Sequence, residues 1–228
     1  MGGVFASIDY RNILNDIPEL NYIITGEGEY SIYKLAECIR NNYEKEVELI
    51  EGIAFRNTDE IVSIPANRIN DLSSLPFPKR EELKIENMQF NIRRIIAGRG
   101  CYGQCTFCSI KSSYIHSGRI YREAKNVVDE IEYLMKKYNV TYFEFSDDIF
   151  YERSPRGRKW VKDFATEILS RKIKITFRME IRVDDVLENE ISLVHIIIDM
   201  NLGMKGMPCL WAFHLVKQRL AYTLQRGL

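Results

Sequence analysis

The chain is poor in histidine, with three in 228 residues, and poor in proline, with six. It carries no excess charge of either sign: 32 Lys and Arg balance 32 Asp and Glu. A neutral chain offers no field to attract a nucleic-acid backbone, so no nucleic-acid partner is expected. No apolar run approaches the about 20 residues of a membrane span, so none is expected to cross a bilayer. The start, Met1 to Ser7, lacks the basic segment and long apolar stretch of a secretory leader. Cysteine is scarce too. Five residues, an odd count, argue against a disulfide framework and for reduced thiols in a cytoplasmic protein.

What is present is ordinary in bulk and unusual in one place. A hydrophobic content of 46% and a charged content of 28% fit a globular chain of one large or two small domains. Three of the five cysteines, however, fall within eight residues: Cys101, Cys105 and Cys108, in the spacing C-x3-C-x2-C. Thiolates are soft ligands that suit iron–sulfur clusters and zinc. Both usually take four protein ligands, and no fourth is evident nearby. Three thiolates on a cubane cluster leave one iron open, and an open metal position is where a small molecule binds. The competing reading is a zinc-binding interaction module with a distant fourth ligand. His116 follows Cys108 by eight residues, not a familiar zinc spacing. Cys38 and Cys209 stand alone, and Cys38, within a helical run, reads as a small buried apolar residue.

The pattern along the chain predicts two domains. Asn21–Thr25 reads as a short strand, followed by a glycine turn, Gly26–Glu29, and a helix from Tyr30 to Tyr43. Glu27 and Glu29 there suit the positive end of the helix dipole rather than a phosphate site. Gly52–Phe55 and Glu60–Ile64 read as a hairpin turning at Asn57–Asp59. Residues 65–88, with Pro65, Pro76 and Pro78, read as a linker. Then strands at Phe90–Ala97, Thr141–Phe145 and Lys174–Phe177 alternate with helices at Ala124–Tyr138 and Arg158–Arg171. That order predicts a parallel sheet with right-handed crossovers. Sites in such sheets form beyond the carboxyl ends of the strands. The cysteine loop and Ser146-Asp147-Asp148 both follow strand ends.

The cysteine spacing, with Phe107 before the last cysteine, Arg99-Gly100 ahead and Ser109 behind, resembles that of the radical S-adenosylmethionine enzymes. The resemblance implies a 4Fe–4S cluster on Cys101, Cys105 and Cys108, whose open iron chelates S-adenosylmethionine. Reductive cleavage would give a 5′-deoxyadenosyl radical for hydrogen abstraction, or for methyl or sulfur transfer, on an unknown substrate. A reductant such as flavodoxin or ferredoxin would supply the electron. Phe107 would lie near the adenine. Arg122–Ile131 resembles the first barrel helix, and Phe143–Phe150 the second strand and its acidic end. Ser146, Asp147 and Asp148 are therefore candidate cofactor-binding residues, with a solvated loop or helix cap as the plainer alternative. Arg182, in a piece that also resembles the family, is a further candidate. Arg178, Glu180 and most of the charges after the third strand read better as a surface ion-pair group. No catalytic residue is assigned.

Residues 1–64 resemble the end of a Rossmann-like cobalamin-binding domain, on Gly2-Gly3 and on Ile23–Glu29. This implies cobalamin as a further cofactor, although the earlier βα units that would wrap a corrinoid are not in this stretch. The fold expected is thus α/β: residues 89–228 form a partial parallel (βα) barrel of about four of six strands, preceded by the cobalamin-domain remnant. Residues 189–216 lack the glycine and glutamate that the family places before its next helix, and read as altered or out of frame. A truncated fragment that turns nothing over is the alternative to an enzyme.

Overall fold

A computed structural model of the chain describes residues 1–58, 60–80, 92–110 and 118–182. The expectations placed on His116, Cys209, residues 183–228 and the out-of-frame stretch lie outside the described residues. The chain divides into two compact units: Met1–Leu72 with Gly100–Ile120, and Ser73–Arg99 with Tyr121–Leu228.

The first unit is built on helix α1 (Val4–Asp16), strand β1 (Tyr22–Ile24), helix α2 (Glu29–Asn41), a single turn α3 (Glu44–Val47), and strands β2 (Ile53–Arg56) and β3 (Ile61–Ser63). The three strands run antiparallel in the order β1-β2-β3, with Ile23 opposite Ala54 and Ala54 opposite Ser63. Side chains alternate across a strand, and both faces of this sheet are covered. Ile23 and Ala54 pack with Ala6, Ile13 and Leu14 of α1. Ile24, Ile53 and Phe55 pack with Leu35 and Cys38 of α2 and with Val47 and Ile50. Cys38 is buried among apolar side chains, as its helical context suggested. The hairpin and α2 are formed as expected; α1 was not foreseen.

Helix ends leave carbonyls without intrahelical partners. At the end of α1 one guanidinium takes a helix carbonyl and two in the segment that follows. Arg56 donates to the carbonyls of Leu14 at 2.6 Å, Pro18 at 2.6 Å and Leu20 at 2.8 Å. At α2 the chain instead turns through Asn42, at φ 57°, a left-handed position that asparagine tolerates. Residues 65–72 open the stretch 65–88 that was expected to be a linker, and they carry buried side chains. Ala66, Ile69 and Leu72 are buried, and the Ile69 N–H donates to Glu27 Oε2 at 2.6 Å.

The second unit carries strand β4 (Ile92–Ile95), short strand β5 (Gly98–Arg99), helix α4 (Ala124–Tyr138), strand β7 (Tyr142–Phe145), helix α5 (Pro155–Ser170) and strand β8 (Thr176–Arg178), and the short strand β6 (Ile120–Tyr121) falls where the chain passes from the first unit to the second. β4, β7 and β8 form a parallel sheet in that order, with Ile95 opposite Phe145 and Phe143 opposite Phe177. The predicted α4 matches to the residue. Its apolar stripe supplies the buried face, Lys136 and Lys137 favour its C-terminal dipole, and Asn139 at φ 51° ends it. Helix α5 starts three residues before the predicted Arg158. Ser154 caps it, its Oγ accepting from Gly157 N at 3.0 Å, and Pro155 opens the first turn. Gly157 is obligatory there, since a Cβ would lie 2.2 Å from the Glu152 carbonyl oxygen.

The core between sheet and helices is aromatic. Phe145 meets Phe150 at 4.7 Å and Phe177 at 5.4 Å between ring centroids, and Trp160 stacks on Phe164 at 5.4 Å. Such offset and edge contacts add to what burial alone contributes. The Trp160 indole N–H finds the Arg122 carbonyl at 2.6 Å.

One carboxylate lies on the apolar stripe of α4. Glu130 is 1% exposed, between Val127 and Ile131. Two guanidiniums hold it: Arg80 at 2.7 Å and Arg122 at 2.6 Å. Arg80 also donates to the carbonyl of Arg94, and Arg122 to that of Ile96, so both reach the β4 segment. Breaking a buried pair leaves charges uncompensated, at a cost of about 3–5 kcal/mol. Glu130→Gln is expected to lose about that much in chemical denaturation.

A more exposed ion group joins the two helices, with Arg171 at 2.6 Å from both Asp129 and Glu167. Burial pushes the Asp129 carboxyl up, but hydrogen bonds from Lys125 and Arg171, and their charges, outweigh this and hold it below its ordinary value of 3.8. A carboxyl lower in the folded than in the unfolded chain stabilises above the unfolded value, and that stabilisation is lost as pH falls through the folded one. Asp129 keeps 35% of its side chain in water, so Asp129→Asn is expected to cost less than about 1 kcal/mol at neutral pH. The gap to wild type should close in melting curves recorded below the carboxylate range.

Candidate functional site

The candidate residues divide between the two units. Cys101, Cys105, Cys108 and Phe107 belong to the first; Ser146, Asp147, Asp148 and Arg182 belong to the second.

The cysteine segment leaves β5 through Gly100, whose φ of 85° suits glycine. A Cβ there would lie 2.4 Å from the Gly118 carbonyl oxygen, so the two ends of the segment touch at a point that admits no side chain. Within the segment, Cys108 N donates to Cys105 O at 3.2 Å, and Gly103 N donates to Cys101 Sγ at 3.3 Å. None of the three cysteines is disulfide-bonded, and each is partly exposed. Phe107 is 91% exposed.

These features fit an iron–sulfur cluster on the cysteines. The thiols are free of disulfides and partly exposed, and a backbone N–H points at one sulfur, the kind of contact that tunes such a centre. Among the described residues, no three His, Cys, Asp or Glu side chains gather closely enough to hold a single metal ion.

In the second unit the residues after β7 differ sharply from one another. Ser146 is exposed and Asp148 half-buried. Asp147 is 6% exposed, and its Oδ2 accepts the Ala97 N–H at 3.0 Å. Ser146 N donates to Ile95 O at 2.9 Å. Asp147 thus fastens the end of β7 to the chain leaving β4, two residues past their last paired residues. Arg182 is half-buried. Arg178 pairs with Glu180 at 3.0 Å and with Glu144 at 3.6 Å, the surface ion group expected of these charges. Sequence reasoning missed Glu130 and its two arginines. The available signal was a lone carboxylate on an otherwise apolar helical stripe, which calls for buried cations.

The fold is α/β, with a parallel sheet in the second unit and a disulfide-free C-x3-C-x2-C segment in the first. No family model matches the chain. The chain is 31% identical over 195 residues to the anaerobic magnesium-protoporphyrin IX monomethyl ester cyclase of Cereibacter sphaeroides, covering 82% of this chain and 31% of that protein. To the enzyme of the same name from Rubrivivax gelatinosus it is 30% identical over 198 residues, covering 83% and 34%. Among solved structures, the cobalamin-dependent S-adenosylmethionine radical enzyme OxsB, with aqua-cobalamin and S-adenosylmethionine bound, matches with a TM-score of 0.72 at 23% identity, covering 88% of this chain and 29% of that one. The radical S-adenosylmethionine methyltransferase TsrM from Kitasatospora setae matches with a TM-score of 0.66 at 16% identity, covering 86% and 39%. The chain is thus similar in sequence to these cyclases, and its fold is similar to that of the two S-adenosylmethionine radical enzymes. It spans about a third of the length of these curated relatives. Among the described residues no helix is long and apolar enough to cross a membrane.

The Asp147 bond gives a direct test. Asp147→Ala leaves the Ala97 N–H without its acceptor and should cost about 1–3 kcal/mol in urea unfolding. Ser146→Ala, at an exposed position, should change stability by no more than about 0.5 kcal/mol.

Proposed function

We propose that the chain carries the cofactor-binding part of a radical S-adenosylmethionine enzyme. In this reading Cys101, Cys105 and Cys108 hold a 4Fe–4S cluster, and S-adenosylmethionine binds beside it. The parallel sheet β4-β7-β8 would then be the start of a (βα) barrel, and residues 1–64 part of a cobalamin-binding domain. The observation that carries the reading is the cysteine segment closed at Gly100 and Gly118, with three disulfide-free, partly exposed thiols in C-x3-C-x2-C spacing.

When bound, the cluster supplies the electron that cleaves the sulfonium of S-adenosylmethionine. The chain's own residues bind and orient. Exposed Phe107 offers an aromatic face to a purine. Ser146 and Asp148 offer an oxygen acceptor to an ammonium group. Asp147, already engaged by Ala97 N–H, acts by fixing the position of its two neighbours. Arg182 offers a cation to a carboxylate. The relatives' names differ in the reaction they describe, so the substrate, and whether the radical leads to hydrogen abstraction or group transfer, follows from parts of those enzymes beyond this span.

Anaerobic reconstitution with iron and sulfide tests the proposal. The expected outcome is about four irons per chain and a charge-transfer band at roughly 400 nm, then 5′-deoxyadenosine on adding dithionite and S-adenosylmethionine. Cys105→Ala should abolish the band. Stoichiometric zinc without iron would sink the reading.

A further inference from the structure

From the way one guanidinium touches both ends of the cysteine segment, we infer that Arg68 is the positioning residue for that segment. It holds Cys101, Cys105 and Cys108 in the arrangement that takes up the cluster. This rests on the cluster reading for its purpose, but its geometry stands apart from it.

Arg68 Nη2 donates to the Gly118 carbonyl at 2.8 Å. The same nitrogen would lie 2.6 Å from a Cβ on Gly100. The guanidinium therefore covers the point where the segment leaves and where it returns. Closing a flexible loop costs entropy, and the cost falls on whatever bonds its ends make. A charge-assisted bond at that point is worth about twice a neutral one.

The anchor is itself held. Ile69, the next residue, is buried and donates its N–H to Glu27 Oε2. Ala66, two residues before, packs where a Cβ on Gly26 would lie 2.8 Å away and one on Gly52 would lie 3.0 Å away. Residues 66–69 are thus fastened to the turn between β1 and α2 and to the turn entering β2. Arg68 transmits that fixed position to the cysteine segment. No local sequence pattern marks it, because its partner is fifty residues away.

Two variants of the full chain test this. Arg68→Met keeps the aliphatic stem and removes the donors; Arg68→Lys keeps a cation and a donor. Amide hydrogen exchange is followed without cluster in peptides covering 98–110, with β2 as the internal control. Arg68→Met should speed exchange at 98–110 about tenfold, the factor expected for loss of a charge-assisted hydrogen bond. Exchange in β2 should not change, and Arg68→Lys should recover at least half of the protection. Unchanged exchange at 98–110 in Arg68→Met, or equal acceleration in β2, would overturn the inference. Release of iron to a chelator from the reconstituted protein should quicken in the same variant, and equal release from both proteins would overturn its role toward the cluster. A wild-type chain that takes up no cluster defeats the proposed function, while the exchange measurement still decides on Arg68.

Discussion

A single buried carboxylate organises the second unit. Glu130 faces the core from α4, and a carboxylate removed from water is tolerable only with cations beside it. Arg80 and Arg122 supply them, and each spends further donors on main-chain carbonyls at Arg94 and Ile96. A hydrophobic helix face slides with little penalty, because apolar contact has no direction. The two guanidiniums do have direction. They fix where α4 sits along the strand whose continuation becomes the cysteine segment, and they leave the register of helix on sheet little freedom.

The first unit solves the same problem with neutral acceptors. Arg56 gathers the carbonyls of Leu14 in α1 and of Pro18 and Leu20 after it, and Arg68 takes the carbonyl of Gly118. In each case an arginine reaches across the fold to main-chain oxygens that no secondary structure satisfies. The planar guanidinium suits this task because its five donors diverge and it keeps its charge.

What was legible in the sequence follows from how far apart the interacting residues are. The parallel order β4-α4-β7-α5-β8 was readable, since stripes such as Val127-Ile131-Leu134 declare their period locally. The cysteine spacing was readable for the same reason. Helix α1 was not: Val4, Phe5 and Ile8 are exposed, the buried Ala6 and Leu14 are widely spaced, and the helix is kinked at Asp9. The linker reading of residues 65–88 rested on its prolines and gave no weight to Ala66, Ile69 and Leu72, which are buried, Ala66 packing against glycines forty and fourteen residues away. The early start of α5 was marked by Ser154-Pro155, a local signal that was passed over. Asp147 was read as a cofactor-binding residue; what the fold displays is its Oδ2 accepting the Ala97 N–H at the end of a strand. Its acceptor role toward Ala97 depends on a main-chain group fifty residues back.

That bond has a consequence for how such a scaffold diversifies. It lies beyond the last paired residues of β4 and β7, so the two chains remain joined just where they would otherwise diverge. Insertions or exchanges further along either loop begin from a fixed footing and need not loosen the sheet below. A fold with its strand ends fastened in this way can swap the chemistry above the fastening as a replaceable module, and proteins sharing the lower part can differ widely in what they act upon.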